Sequence, residues 1–267
     1  RRARPADRRE CCARQRLAID DVALCRAPLA IRPRPPPLAE HAGRNRGLQD
    51  EVRLVGGAVA ANDLFGGQIA APDLLNIVCE LDGHPDNAAP ALLGGLVIGT
   101  LTPVGVSAVR LEPKDLKVVV AVPDFAVSTT AARRALPDSV PHRDAAFNVG
   151  RSGLLLGALA TGEYHLLRVA MQDRLHQPYR SHLIPGLEDV IDAALDSGAH
   201  GACLSGSGPT VLAFAPQSRA REIASAMKAT FEARDVVADS WALDVDLAGA
   251  RVEPPEEVTA WSPVPTF

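Results

Sequence analysis

The chain has 267 residues and a mass of 28.1 kDa, and it is 47% hydrophobic, 22% charged and 4% aromatic. That is enough apolar material for one large or two modest domains, and too much for a disordered or collagen-like chain. The formal net charge of −4 hides an asymmetry: residues 1–54 carry 13 basic and 7 acidic groups, and residues 55–267 carry 15 and 25. An acidic body lacks the basic face that a phosphate backbone requires, so nucleic acid is not expected as a partner.

Residues 1–54 hold 13 of the 25 arginines, six prolines and the run Arg32-Pro33-Arg34-Pro35-Pro36-Pro37, with no helical or strand periodicity; they read as a poorly ordered leader. The recurrence of arginine leaves no apolar run that would suit a secretory signal. Order begins near Gly56. Ala58–Phe65 reads as helix, and Pro72 opens a second helix with Leu74, Leu75, Val78 and Leu81 on one face. Nothing between Asp86 and Arg110 is charged, and Ala88–Val109 is long enough to cross a bilayer. Pro90, Pro103 and four glycines punctuate it, so the expectation is two buried strands around a turn and no membrane.

Leu116–Val122 is a strand ended by Pro123. Helices are expected at 144–160, 163–177 and 186–197, the last stopped by Gly198. Gly201–Leu204 and Thr210–Ala215 are short strands, Arg219–Phe231 is a helix, Asp235–Val245 a closing strand, and the tail from residue 253 is loose. The order describes an α+β fold with helices on one antiparallel sheet. The expected units are 55–112, the rest of an N-terminal domain, and 113–252, a C-terminal domain. The five cysteines, Cys11, Cys12, Cys25, Cys79 and Cys203, have no zinc-type spacing and fit a reduced, cytoplasmic protein.

Three segments carry chemistry. Ser205-Gly206-Ser207-Gly208-Pro209-Thr210 combines small side chains with unobstructed N–H groups; it is either an anion-wrapping turn or a plain glycine hairpin. Glu80-Leu81-Asp82-Gly83-His84-Pro85-Asp86-Asn87 gathers carboxylates where a helix ends, suited to magnesium with substrate phosphates or to solvated loop charge. In Asp173-Arg174-Leu175-His176-Gln177-Pro178-Tyr179-Arg180 the proline stops the helix, so that Arg180 either grips a carboxylate through two parallel bonds or lies on the surface. Arg133 and Arg134, after Ser128-Thr129, are further candidates.

Together with Pro90-Ala91-Leu92-Leu93-Gly94-Gly95, Pro123-Asp124-Phe125 and Leu183-Ile184-Pro185-Gly186, these segments resemble homoserine kinase of the GHMP kinase superfamily, from about Gly56 to Val252. The resemblance implies Mg-ATP-dependent phosphorylation of the L-homoserine hydroxyl on the route to threonine. It implies an S5-like N-terminal domain, here incomplete, joined to a ferredoxin-like C-terminal domain, and a possible homodimer. By position it makes Glu80 the Mg2+ ligand and Asp86 the group that orients homoserine, with Asn87 beside it. Arg133 and Arg180 become the grips on the substrate carboxylate, and Ser205, Gly206, Ser207 and Gly208 the contact to the phosphates of ATP.

The resemblance stops short of the N-terminus. The family has a Pro-Ala-Ser/Thr-x-Asn-Leu-Gly-Pro-Gly-type first strand and, before its first long helix, a phosphate loop like Gly-Leu-Gly-Ser-Ser-Ala. Here that place reads Gly47-Leu48-Gln49-Asp50-Glu51-Val52-Arg53-Leu54. The arginine- and proline-rich texture before it looks like translation in a shifted frame. The competing readings are therefore a catalytically inactive fragment or binding module that keeps the substrate half of the site, and a decarboxylase or another sugar or mevalonate-type small-molecule kinase of the superfamily. The Arg-Leu-His-Gln-Pro-Tyr-Arg segment favours an amino-acid substrate over the latter.

Overall fold

The computed structural model describes residues 46–253. The first 45 positions of the expected leader and the tail from residue 254 lie outside these residues. Positions 46–54 do not continue the leader. They form the first turns of helix α1 (Arg46–Leu64), which begins twelve residues before the expected Ala58. The cause is packing further along the same helix. Leu54, Val55, Ala58 and Val59 recur at helical spacing, and Val55 is fully enclosed by the neighbouring helices.

Helix α2 (Ala71–Asp82) carries Pro72 in its first turn and buries Leu74, Leu75, Val78 and Cys79. Leu81, expected on that face, is exposed because α2 ends at the next residue, Asp82. Helix α3 (Pro85–Leu93) follows, then a hairpin of β1 (Leu96–Thr102) and β2 (Gly105–Leu111) in register from Leu96↔Leu111 to Thr102↔Gly105. The uncharged Ala88–Val109 stretch is thus a helix end plus a hairpin. No helix among the described residues is long and apolar enough to cross a membrane. The two strands are less buried than expected, with Val104 92% exposed at the tip. Among the described residues they form a two-stranded sheet, packed by α2 and α3.

The C-terminal half runs β3 (Leu116–Pro123), α4 (Thr129–Arg134), α5 (His142–Thr161), α6 (Leu167–Ala170), α7 (Gln177–Arg180), α8 (Leu187–Asp196), β4 (Gly201–Leu204), β5 (Val211–Pro216), α9 (Ala220–Glu232) and β6 (Ala238–Asp244). The sheet order is β4-β5-β3-β6, antiparallel throughout, so the first and third strands are central, as a ferredoxin-like β-α-β-β-α-β chain requires. Period-2 alternation splits the side chains of the sheet between two layers. Val119, Ala121, Val211 and Ala213 pack with Val190, Ile223, Met227 and Phe231 of α8 and α9. Leu116 and Phe214 pack on the other side with Ala158, Leu159, Leu167 and Met171, and Leu96 and Leu111 of the hairpin join them. After β6 the chain returns to the first half, where Asp246 O accepts the N–H of Gly95 and Leu92 O accepts that of Ala250.

The single helix expected at 163–177 is broken. A 3-10 turn (Tyr164–Leu166) leads into α6, and no helix follows until α7. Asp173 interrupts it, because its carboxylate takes the N–H groups of Leu175, His176 and Gln177 that a continuous helix would direct to backbone carbonyls. Pro178, expected to stop a helix, instead sits in the first turn of α7.

Candidate functional site

Gly83 ends α2 with φ 92°, a left-handed conformation that only glycine adopts freely, and its N–H closes on Cys79 O. His84 is extended, and Pro85 has the fixed φ that suits a helix start. Asp86 and Asn87 therefore stand in the first turn of α3, with Asp86 exposed and Asn87 half-buried. Pro90 lacks the N–H that would close on the backbone carbonyl of Asp86. Glu80 lies exposed in the last turn of α2. Among the described residues no group of three or more histidine, cysteine, aspartate or glutamate side chains could hold a metal. The donor set fits a magnesium ion carried by phosphates and touched by one or two carboxylates, and does not form a cage for a resident ion.

Arg133 comes from α4, which begins where the Ser128 hydroxyl accepts the N–H of Ala131 at 3.1 Å. Its Nη2 lies 3.3 Å from His84 Nε2, so the acceptor tautomer of His84 takes a hydrogen bond from it. This contact brings α4 to the loop that carries Asp86. Replacing Ser128 with Ala should cost about 1 kcal/mol of stability, the usual worth of an N-cap, as measured by the urea midpoint.

Arg180 is only 9% exposed. It donates from Nε to Ala132 O at 3.2 Å and from Nη1 to Gly206 O at 3.0 Å. With Nε committed to the backbone, the Nη2 end is what Arg180 can offer a ligand, rather than the full two-bond fork expected from the sequence. Burial lowers the affinity of its guanidinium for its proton, the nearby Asp173 raises it, and Arg133 lowers it again. The Arg180 guanidinium sits on the carbonyl of Ala132, the residue next to Arg133.

No role stands out in the sequence for Asp173 or Gln177, yet they organise this corner. Asn148 Nδ2 also donates to Asp173, at 2.6 Å, while Asn148 Oδ1 accepts the N–H of Arg174. Gln177 Oε1 accepts the N–H of Leu204 at 2.8 Å, one residue before the glycine-rich turn. The available signal is an aspartate four residues ahead of Gln177, which opens the turn that carries Pro178. Burial alone would raise the Asp173 pKa. Hydrogen bonds from His176, from the N–H groups of Gln177 and Leu175, and from Asn148 outweigh it and hold the carboxyl well below the usual range.

Because that folded value lies under the value of about 3.9 for an unfolded chain, the stabilisation from Asp173 is complete above about pH 5 and fades as pH falls through the folded value. Asp173→Asn should therefore cost on the order of 2–3 kcal/mol at pH 7, the scale of a hydrogen bond to a charged group. The gap between the urea midpoints of the two proteins should close on acidification below pH 4. Burial, with Asp173 adding to it, pushes the neighbouring Cys203 thiol up to about 12, so it stays neutral and unreactive.

The turn itself begins with Ser205 N–H on Thr210 O and Gly208 N–H on Ser205 O, both at 2.9 Å. Gly206 and Ser207 keep N–H groups without an acceptor among the described residues. Four sequence-selected places therefore meet: the loop of His84 and Asp86, Arg133, Arg180 and the turn at 205–208. Glu80 has no contact that ties it to them.

Comparisons with known proteins give the family of the chain. Residues 155–233 match the family model described as GHMP kinases C terminal. A homoserine kinase of Desulfitobacterium hafniense is 44% identical over 210 residues, 78% of this chain and 70% of that protein. One from Gloeobacter violaceus is 45% identical over 192 residues, 72% of this chain and 64% of its own. The crystal structure of homoserine kinase from Cytophaga hutchinsonii superposes with a TM-score of 0.69 at 35% identity, covering 73% of this chain and 64% of that one. The phosphomevalonate kinase of Streptococcus pneumoniae, at 14% identity and a TM-score of 0.52 over 68% of this chain and 66% of its own, shares the fold. The chain thus spans about two thirds of the length of these relatives.

Proposed function

The chain belongs to the homoserine kinase family of GHMP kinases, and from that premise we propose that its site transfers the γ-phosphoryl group of Mg-ATP to the side-chain hydroxyl of L-homoserine. The observation that carries the reading is the placement of two guanidinium groups: Arg133 on His84 of the Gly-His-Pro-Asp-Asn loop, and Arg180 on the carbonyl of its neighbour Ala132 and on that of Gly206 in the glycine-rich turn. A zwitterionic amino acid needs cations for its carboxylate and a carboxylate for its ammonium; Arg133 with the Nη2 end of Arg180 supplies the first, and Asp86 the second. Asn87, next to Asp86, adds an amide for a hydroxyl. The free N–H groups of Gly206 and Ser207 suit phosphate oxygens, with Ser205 and Gly208 shaping the turn.

Magnesium would be met by Glu80, and when bound with ATP it neutralises charge on the phosphates. In phosphoryl transfer most of the protein's work is positioning and charge neutralisation, so the role of Asp86 is to aim the attacking hydroxyl. We extend the proposal to a cytoplasmic homodimer in the threonine pathway, with residues 55–112 and 113–252 as its two units, as the resemblance implies.

The reading is tested by incubating high concentrations of the purified chain with Mg-ATP and an equimolar mixture of L-homoserine, mevalonate and galactose, followed by 31P NMR. O-phosphohomoserine should be the first phosphate ester to accumulate. Preferential labelling of mevalonate or galactose would overturn the choice of substrate.

A further inference from the structure

Helix α7 is four residues long, too short to persist by itself, and two of its side chains also hold the glycine-rich turn. Its start is pinned by Asp173 through the N–H of Gln177. Its end is pinned by Arg180 Nε on Ala132 O, 48 residues away. Between these anchors two side chains reach the β4–β5 connection on either side of Ser205. Gln177 Oε1 holds the N–H of Leu204, and Arg180 Nη1 holds the carbonyl of Gly206.

The turn is closed by the Ser205–Thr210 and Gly208–Ser205 backbone bonds and packed at Gly208, whereas Gly206 at its tip is exposed. A Cβ added at Gly206 would meet nothing within 4 Å, and its φ of 56° leaves the residue in the left-handed region. In a planar trans peptide the carbonyl and the following N–H point in opposite directions. With the Gly206 carbonyl drawn toward Arg180, the N–H of Ser207 is turned away from α7.

We infer that Gln177 and Arg180 are positioning residues that clamp the 204–206 backbone from both sides, so that the Ser207 N–H is presented to an anionic phosphate in a fixed direction. The inference rests on the proposed contact between this turn and nucleotide phosphates, and it adds what sets the geometry of that contact. Preorganised donors need no reorganisation when charge arrives, which gives a clamp remote from the ligand an effect on its binding.

The test compares Gln177→Leu, which removes the acceptor at similar size, with Gln177→Glu, which keeps an acceptor oxygen. Binding of Mg-ADP and of L-homoserine to the full chain is measured by calorimetry, and amide exchange is followed at residues 204–208. The leucine variant should bind Mg-ADP roughly tenfold more weakly, the scale of one lost hydrogen bond, with exchange at 204–208 accelerated and homoserine affinity within twofold of the parent. The glutamate variant should stay within twofold for both ligands. Equal losses for both ligands, unchanged exchange with the leucine variant, or a glutamate variant as weak as the leucine one would each overturn the clamp. Absence of Mg-ADP binding by the parent chain would instead sink the phosphate reading of the turn, and with it the nucleotide half of the inference. Parental binding that Gln177→Leu leaves untouched would sink the inference alone.

Discussion

Given L-homoserine and Mg-ATP, the purified chain should turn over at least 10²–10³-fold below the roughly 1–100 s⁻¹ common for kinases. The family resemblance assigns the main phosphate cradle to a glycine- and serine-rich loop at the start of the first long helix, where backbone N–H groups and the helix dipole meet the anion. In this chain the first turns of α1 read Arg46-Gly47-Leu48-Gln49-Asp50-Glu51. Loss of a single preorganised donor from a transition-state site costs about 10²–10³ in rate, and here a whole loop differs.

Asp50 and Glu51 also add two negative charges near the helix start. A carboxylate 4 Å from a phosphate charge would be repelled by roughly 1–4 kcal/mol, between bulk-water and near-surface dielectric. A coupled assay of ADP release measures the deficit. The variant Gln49→Gly/Asp50→Ser/Glu51→Ser should recover at least tenfold in Mg-ADP affinity. Turnover of the unaltered chain within the usual kinase range would refute this account of α1.

The second large effect separates the two arginines. Arg180→Met removes two charge-assisted hydrogen bonds from a buried guanidinium and leaves the Ala132 and Gly206 carbonyls unpaired. At about 1.5–3 kcal/mol for each bond, the expected loss is about 3–6 kcal/mol of folding stability. Arg133 is exposed, and the one described hydrogen bond of its side chain is to His84, so Arg133→Met should stay within about 0.5 kcal/mol of the parent. Both variants should weaken L-homoserine roughly 10- to 100-fold, because each removes a cation from the carboxylate site. Urea midpoints and calorimetric titration with homoserine read the two quantities separately. An Arg133 variant as unstable as the Arg180 variant, or unchanged homoserine affinity in either, would break the assignment.

Sequence and structure divide the description of this protein along a physical line. Gly83, Pro85 and Pro178 constrain their own dihedrals, and the alternation in β3 and the stripe of α9 follow from local periodicity. The α+β order, the sheet strands and the Gly-His-Pro-Asp-Asn turn were therefore legible residue by residue. The ordered motifs also carried the family, because spacing along a chain is information that a sequence holds in full.

What could not be read were features set by partners distant in the chain. The first turns of α1 have no pattern of their own and owe their helix to the packed residues that follow them. The 163–177 helix was lost to one carboxylate, Asp173, whose acceptor oxygens outcompete backbone carbonyls for three consecutive donors. The sequence placed Arg180 at a substrate. Only the tertiary structure sets it against Ala132 and Gly206, because burying a guanidinium obliges it to find acceptors wherever the fold supplies them, here 48 and 26 residues away.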